Sequence, residues 1–109
     1  MKIRTNRTAD DTVVVKLEGR VDRETVPDAR KQLLRITRKR GVGHVDVDLT
    51  GVSAIDTAGL ALLVELFILF SRKGRELRLQ GANEDIERML HMACLDQLFK
   101  IRCLSGGGK

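Results

Sequence analysis

The residues with the clearest chemical potential are Asp56-Thr57-Ala58-Gly59, where a strand pattern gives way to a helix pattern. The first turn of a helix carries unpaired backbone N–H groups and a partial positive charge, which together favour an anion. A hydroxyl at Thr57 could therefore accept a phosphate, whose charge would lie between the helix dipole and the Asp56 carboxylate. The same residues also suit a plainer role, because Asp and Thr are common N-caps.

The remaining reactive side chains form no recognisable catalytic or metal-binding pattern. His44 and His91 are far apart in the sequence, and Asp46 and Asp48 alternate with valines, which is typical of solvated strand positions. The glycines of 41–43 precede a strand, the reverse of the order in a dinucleotide-binding turn. We therefore expect no catalytic residue, no metal site and no cofactor.

The elements that position Asp56 and Thr57 follow the order β-β-α-β-α-β-α-β. Alternating or β-branched apolar residues predict strands at 1–7, 12–19, 44–49, 75–81 and 100–103. Helical spacing predicts helices at 26–40, 58–72 and 84–94, and a turn over 50–56. Strands separated by helices imply parallel neighbours, with an antiparallel edge from the opening hairpin. We expect a single α/β domain with a four- to five-stranded mixed sheet and helices packed against it.

Three further local predictions concern the helices. Thr25 and Asp28 have the spacing of a capping box before the first helix, and Asn83 can cap the third. In the second helix, Leu62, Leu66 and Phe70 form an apolar ridge in addition to the stripe that a sheet requires. Either other helices cover this ridge or it binds a partner. We include Leu62 and Leu66 among the candidate partner-binding residues.

The composition limits the classes of function. The chain has 109 residues, 42% of them hydrophobic and 32% charged, which indicates one globular domain. Only 3% are aromatic, which argues against stacking platforms for single-stranded nucleic acid. The longest apolar stretch is too short to span a bilayer. Cys94 and Cys103 form no disulfide framework and favour a reduced, cytoplasmic setting.

The positive charge is concentrated in the first half of the chain. The net charge is +5, which permits nucleic acid, an anionic membrane surface or an acidic protein as a partner. Six basic residues lie close together in the predicted first helix: Arg30, Lys31, Arg35, Arg38, Lys39 and Arg40. They form either a solvated face or a surface for an anionic partner, and both interpretations stay open.

Three stretches of the sequence together resemble the STAS family, named for sulfate transporters and anti-sigma factor antagonists. They are LEGRVDRETVPDARKQL (17–33), DLTGVSAIDTAGL (48–60) and RKGRELRLQGANEDIERMLHMACLDQLFKI (72–101). The resemblance covers nearly the whole chain and implies a STAS domain over 1–104. The glycine-rich end, SGGGK, predicts a flexible tail at 105–109. It also implies a protein that works by binding and not by catalysis.

In the antagonist branch of this family, a partner that is both anti-sigma factor and kinase phosphorylates the Ser or Thr after the motif's Asp, and a phosphatase resets the cycle. The resemblance implies that Thr57 is the phosphoacceptor and that Asp56 and Gly59 complete the motif, with Asp22 beside it. It therefore implies a partner-binding set of Asp22, Asp56, Thr57, Ala58, Gly59, Leu62 and Leu66. Ser is more usual at the position of Thr57, and Ser or Gly at that of Ala58.

A second branch resembles residues 56–66 and 79–86 closely. It is the STAS subunit of a bacterial phospholipid ABC transporter, which binds and supports an ATPase subunit. We expect the antagonist branch first and this accessory subunit as the alternative. In either case we expect no direct binding of nucleic acid, no insertion into a membrane and at most a weak homodimer. Gly59 is expected beside the Thr57 hydroxyl, where a side chain would obstruct the partner at a modest cost in stability.

Overall fold

A mixed sheet forms the centre of the structure, a computed structural model that describes residues 2–9, 11–95 and 102–103. Within these residues the strands are β1 (Lys2–Ala9), β2 (Thr12–Val21), β3 (His44–Ile55), β4 (Glu76–Ala82) and β5 (Arg102–Cys103). Their order in the sheet follows the chain. β1 is antiparallel to β2, and the other neighbours are parallel. The α/β class and the mixed sheet are confirmed.

Three helices pack on one face of this sheet. They are α1 (Val26–Thr37), α2 (Thr57–Arg72) and α3 (Glu84–Met92). Their apolar side chains join the inward-facing residues of β2, β3 and β4 in one hydrophobic core. Each helix follows one of the strands β2, β3 and β4, which run parallel to one another, so all three helix N-termini lie at the same end of the domain. No helix in the described part of the chain is long and apolar enough to cross a membrane.

Strand β3 is longer than predicted, and the expected turn over 50–56 is wrong up to Ile55. The pairing of β2 with β3 advances from Lys16↔Asp48 to Glu18↔Gly51, and a second shift follows at Arg20↔Ala54. Each shift inserts one extra residue into β3 as a bulge. The bulges change the spacing of buried residues from two to three, and this hides the strand from a search for simple alternation.

The helix ends agree with prediction at α3 and differ at α1. The Asn83 side chain accepts a hydrogen bond from the Ile86 N–H at 2.8 Å, as expected for an N-cap. Thr25 precedes α1 but makes no side-chain cap bond, so the predicted capping box is wrong. Helix α1 ends at Thr37, which leaves Arg38, Lys39 and Arg40 in the loop that follows. The predicted tail at 105–109 and the first two residues of the predicted last strand, 100–101, lie outside the described residues.

Candidate functional site

Thr57 is the first residue of helix α2 and its side chain is exposed. Asp56 precedes it in an extended conformation and caps the helix, because its Oδ1 accepts a hydrogen bond from the Gly59 N–H at 2.9 Å. The backbone N–H of Asp56 donates to the Val21 carbonyl at the end of β2, at 3.2 Å. The Thr57 hydroxyl therefore stands at a helix start that is fixed to two strands.

The second carboxylate oxygen of Asp56 ties the helix start to the loop after β2. Oδ2 of Asp56 accepts a hydrogen bond from the backbone N–H of Arg23 at 3.1 Å. Both oxygens of Asp56 are thus engaged by backbone N–H groups. This arrangement makes Asp56 a structural acceptor and leaves it poorly placed to remove a proton from the neighbouring hydroxyl.

Asp22 organises the loop between β2 and α1. Its Oδ1 accepts from the N–H groups of Glu24 and Thr25, at 3.0 and 3.1 Å, and its Oδ2 accepts from the Arg20 guanidinium at 3.3 Å. Partial burial alone would raise the pKa of Asp22, but these hydrogen bonds outweigh it and lower the pKa below the ordinary aspartate value. Asp22 is therefore an anion that holds the loop beside Asp56.

The Thr25 hydroxyl closes the same loop from the other side. It accepts a hydrogen bond from the Asp22 N–H at 2.9 Å and lies 2.9 Å from the Arg20 carbonyl, to which it can donate. This contact takes the hydroxyl away from α1 and explains why the capping box fails.

A shallow cleft of about 280 Å³ lies between the loop after β2 and the start of α2. It is lined by Arg20, Asp22, Arg23, Glu24 and Asp56. Its walls therefore carry both signs of charge, and the hydrogen bonds above engage both of its aspartates with backbone N–H groups. The cleft sits next to Thr57 and suits recognition of a polar partner surface.

Gly59 belongs to the packing beneath the site and is itself buried. A Cβ at this position would lie 2.5 Å from Cγ1 of Ile55 and 2.5 Å from the carbonyl oxygen of Val21. Neither a strand carbonyl nor a core side chain can retreat cheaply from such a distance. The expectation that Gly59 lies beside the hydroxyl as a partner contact is therefore wrong. The residue is Gly because α2 begins directly against the ends of β2 and β3.

The apolar ridge of α2 is covered within the domain. The side chains of Leu62, Leu66 and Phe70 are 2%, 1% and 2% exposed and belong to the hydrophobic core. Leu62 and Leu66 are therefore removed from the candidate partner-binding set, because α1 packs along α2 and buries its second side. Asp22, Asp56 and Ala58 are half-buried and Thr57 is exposed, so these four stay at the surface of the site.

Apart from Asp22, sequence reasoning missed the residues that the end of β2 and the loop after it contribute to the site. The backbone N–H of Arg23 and the carbonyl of Val21 both form hydrogen bonds with Asp56, and neither contact depends on side-chain type. Arg20 enters through its guanidinium, which pairs with Asp22. One signal was available, since Gly19 is followed closely by an Asp and a Thr, residues that favour turns with side-chain to backbone bonds.

The fold and this motif define a class of protein. A family model for the STAS domain matches residues 4–103. The chain belongs to the STAS domain family.

Relatives with curated names include regulators of sigma factors. An anti-sigma-B factor antagonist of Staphylococcus epidermidis is 32% identical over 94 residues, which cover 86% of each chain. An anti-sigma F factor antagonist of Paenibacillus polymyxa is 26% identical over 89 residues, covering 82% of this chain and 76% of the relative.

The fold is also that of the Bacillus antagonist SpoIIAA. In its unphosphorylated form SpoIIAA matches with a TM-score of 0.80 at 14% identity, over 98% of this chain and 91% of that one. The phosphorylated form matches with a TM-score of 0.74.

Proposed function

We propose that this protein is an anti-sigma factor antagonist that binds an anti-sigma factor with serine/threonine kinase activity and is switched off by phosphorylation on Thr57. The observation that carries the proposal is an exposed Thr57 hydroxyl on a helix start fixed by Asp56 to two strands and a loop. The curated names of its relatives support the antagonist role. It acts by binding, in the cytoplasm.

In the unphosphorylated state the partner contacts a neutral hydroxyl. Because Asp56 holds α2, β2 and the loop after β2 in one arrangement, the surface around Thr57 is ordered before binding. A preorganised surface loses little conformational freedom on association. A kinase can therefore place the hydroxyl in its own active site with the rest of the interface already formed.

Phosphorylation would change the charge of this surface more than its shape. A phosphate adds a charge of roughly −1.5 to −2. The start of α2 stabilises part of that charge, so the fold is expected to survive. The cleft next to Thr57 is lined by Asp22, Glu24 and Asp56 together with Arg20 and Arg23, so the added charge would enter a surface of mixed sign. At an interface fitted to a hydroxyl, we expect a loss of affinity of about 100-fold or more.

A binding titration with charge-matched variants tests the switch. The probe is a purified anti-sigma factor with kinase activity from the same organism. Thr57→Glu should fold normally and bind at least 10-fold more weakly than wild type, because a fixed negative charge replaces the hydroxyl. Ser71→Glu is the control, since Ser71 is exposed at the other end of the same helix. Equal losses in the two variants would contradict a site at Thr57.

The antagonist proposal includes a further partner, the phosphatase that removes the phosphate from Thr57. Under the alternative function, the partner is the ATPase subunit of a phospholipid ABC transporter. If the wild-type protein binds a transporter ATPase and ignores the anti-sigma kinase, the antagonist role is wrong and the accessory-subunit role replaces it. If it binds the kinase but Thr57→Glu binds equally well, the partner is right and the switch is wrong.

A further inference from the structure

A cluster of cations lies at the end of the domain opposite Thr57. We call this the basic end and define it by six residues at or just after the C-termini of α1 and α2: Arg38, Lys39, Arg40, Arg72, Lys73 and Arg75. Arg75 joins the two loops, because its guanidinium donates to the carbonyls of Ile36, at 3.1 Å, and Lys39, at 2.5 Å. The other five cations are exposed.

The carboxylates at this end are fewer and are occupied. Among the described residues they are Asp11 and Glu76, and both face the His44 ring, at 3.6 and 3.0 Å. The C-termini of α1 and α2 add partial negative charge, and Arg75 offsets that of α1 by donating to the Ile36 and Lys39 carbonyls. The exposed side chains of the basic end therefore present a positive field to solvent.

Exposed apolar side chains accompany these cations. Two large hydrophobic residues of the described chain are clearly exposed, Ile68 at 44% and Met92 at 75%. Met92 is the last residue of α3, and Ile68 lies one turn before the end of α2. Both are therefore in the half of the domain that carries the basic end.

We propose that the basic end adsorbs to an anionic lipid surface, with the cations at the headgroups and Met92 and Ile68 against the interfacial region. Cations beside exposed apolar side chains are the combination that favours a lipid interface. Nucleic acid fits less well, because it would leave Met92 and Ile68 without a gain and the three Phe of the chain are too few for a stacking platform. The proposal does not rest on the function proposed above.

Adsorption at the basic end leaves the Thr57 end accessible. Helix α2 has 16 residues, and at 1.5 Å per residue its two ends are about 24 Å apart. Charges in water are screened over about 8 Å at physiological salt, so the carboxylates around Thr57 do not repel the lipid surface. The domain could thus bind a protein partner and a membrane at the same time.

Co-sedimentation with vesicles tests this proposal. Wild type should bind vesicles of phosphatidylcholine mixed with phosphatidylglycerol, should bind pure phosphatidylcholine weakly, and should be released by salt. The variant Arg38→Gln/Lys39→Gln/Arg40→Gln should bind the mixed vesicles at least 10-fold more weakly, since each cation near an anionic surface contributes roughly fivefold. Met92→Ser should weaken binding several-fold without changing the net charge.

A control variant separates the cluster from total charge. Lys2→Gln/Arg4→Gln/Lys31→Gln removes the same charge from exposed positions away from the basic end. It should change vesicle binding by less than the variant at 38–40 does. Equal losses in the two triple variants would overturn a localised site. Stronger binding to a labelled DNA duplex than to the mixed vesicles, lost in the variant at 38–40, would overturn the lipid surface in favour of nucleic acid.

Discussion

The two ends of helix α2 are built by different means. At the Thr57 end, Gly59 packs against a strand carbonyl and the carboxylates of Asp22 and Asp56 are bound by backbone N–H groups. At the basic end, Gly41 and Gly74 adopt positive φ angles of 77° and 70°, and a Cβ on either would meet nothing within 4 Å. The structure of the Thr57 end therefore depends on close packing. The basic end is formed by open turns whose charged side chains are exposed.

The two ends also differ in the predominant sign of their charged residues. The first turns of α1 and α3 carry the acidic residues Asp28, Glu84, Asp85 and Glu87, at the same end as Asp22, Glu24 and Asp56. The cations of the basic end lie at or just after the C-termini of α1 and α2. Although Arg20 and Arg23 also lie at the Thr57 end, the acidic first turns of α1 and α3 and the cations of the basic end lie where the helix dipole favours them. We call the Thr57 end the acidic end, and under the proposed switch a phosphate on Thr57 would add negative charge there.

The largest expected effect concerns the helix that connects the two ends. Leu66→Lys would bury an unpaired charge in the core, and we expect it to lower the free energy of unfolding by about 4 kcal/mol or more. Ile68→Lys, two residues on, should change it by about 0.5 kcal/mol or less, because Ile68 is exposed. Thermal denaturation followed by circular dichroism measures both. A stable Leu66→Lys domain would restore the apolar ridge as a partner surface.

Glycine substitutions compare the packing of the two ends directly. Gly59→Ala should cost about 2–3 kcal/mol, because the new Cβ would clash with Ile55 and the Val21 carbonyl. At the other end, Gly43→Ala meets only the side chain of Asp11, which can rotate away, and should cost about 0.5 kcal/mol or less. Urea denaturation gives both values. Similar costs at the two sites would contradict the contrast in packing.

Removing the cap at the Thr57 end should have a smaller effect. Asp56→Ala leaves the N–H groups of Gly59 and Arg23 without their acceptor and should cost about 1–2 kcal/mol. Asp56→Asn keeps one carbonyl oxygen for the Gly59 N–H and should cost less. The same denaturation measurement ranks the two variants. If Asp56→Asn lowered the free energy of unfolding as much as Asp56→Ala, the hydrogen bond to the Arg23 N–H would contribute more than the helix cap.

The smallest expected effect is a change in pH dependence midway along α2. The hydrogen bond from Arg30, at 2.6–3.0 Å, lowers the pKa of Glu65 below its ordinary value of 4.5, and partial burial only partly opposes this. A lowered folded-state pKa stabilises the fold above the unfolded-state pKa, and this stabilisation is lost as pH falls through the folded value. Glu65→Gln should therefore flatten the fall of Tm below about pH 4.5. If Tm fell with decreasing pH as steeply in Glu65→Gln as in wild type, this prediction would be wrong.

Sequence patterns predicted the local features of this fold and missed those that depend on distant backbone. The start of α2 and the Asn83 cap follow from residues close in sequence. The bulges of β3 shift the alternation of buried and exposed residues after Leu49. No short sequence pattern in β3 indicated where these bulges occur. The burial of Gly59 and Leu66 depends on how β2, β3 and α1 approach α2. Such contacts arise only when the chain folds, so the sequence left the ridge on α2 open between core and surface.

The central claim is that Thr57 is the single phosphoacceptor at the acidic end. The most direct test is intact-mass spectrometry after incubation with ATP and a purified anti-sigma factor with kinase activity from the same organism. We predict one phosphate on wild type, one on Ser53→Ala, and none on Thr57→Ala, because Ser53 is exposed on β3 but lies outside the helix start. A wild-type protein without phosphate, or a Thr57→Ala variant that gains one as readily, would contradict the account.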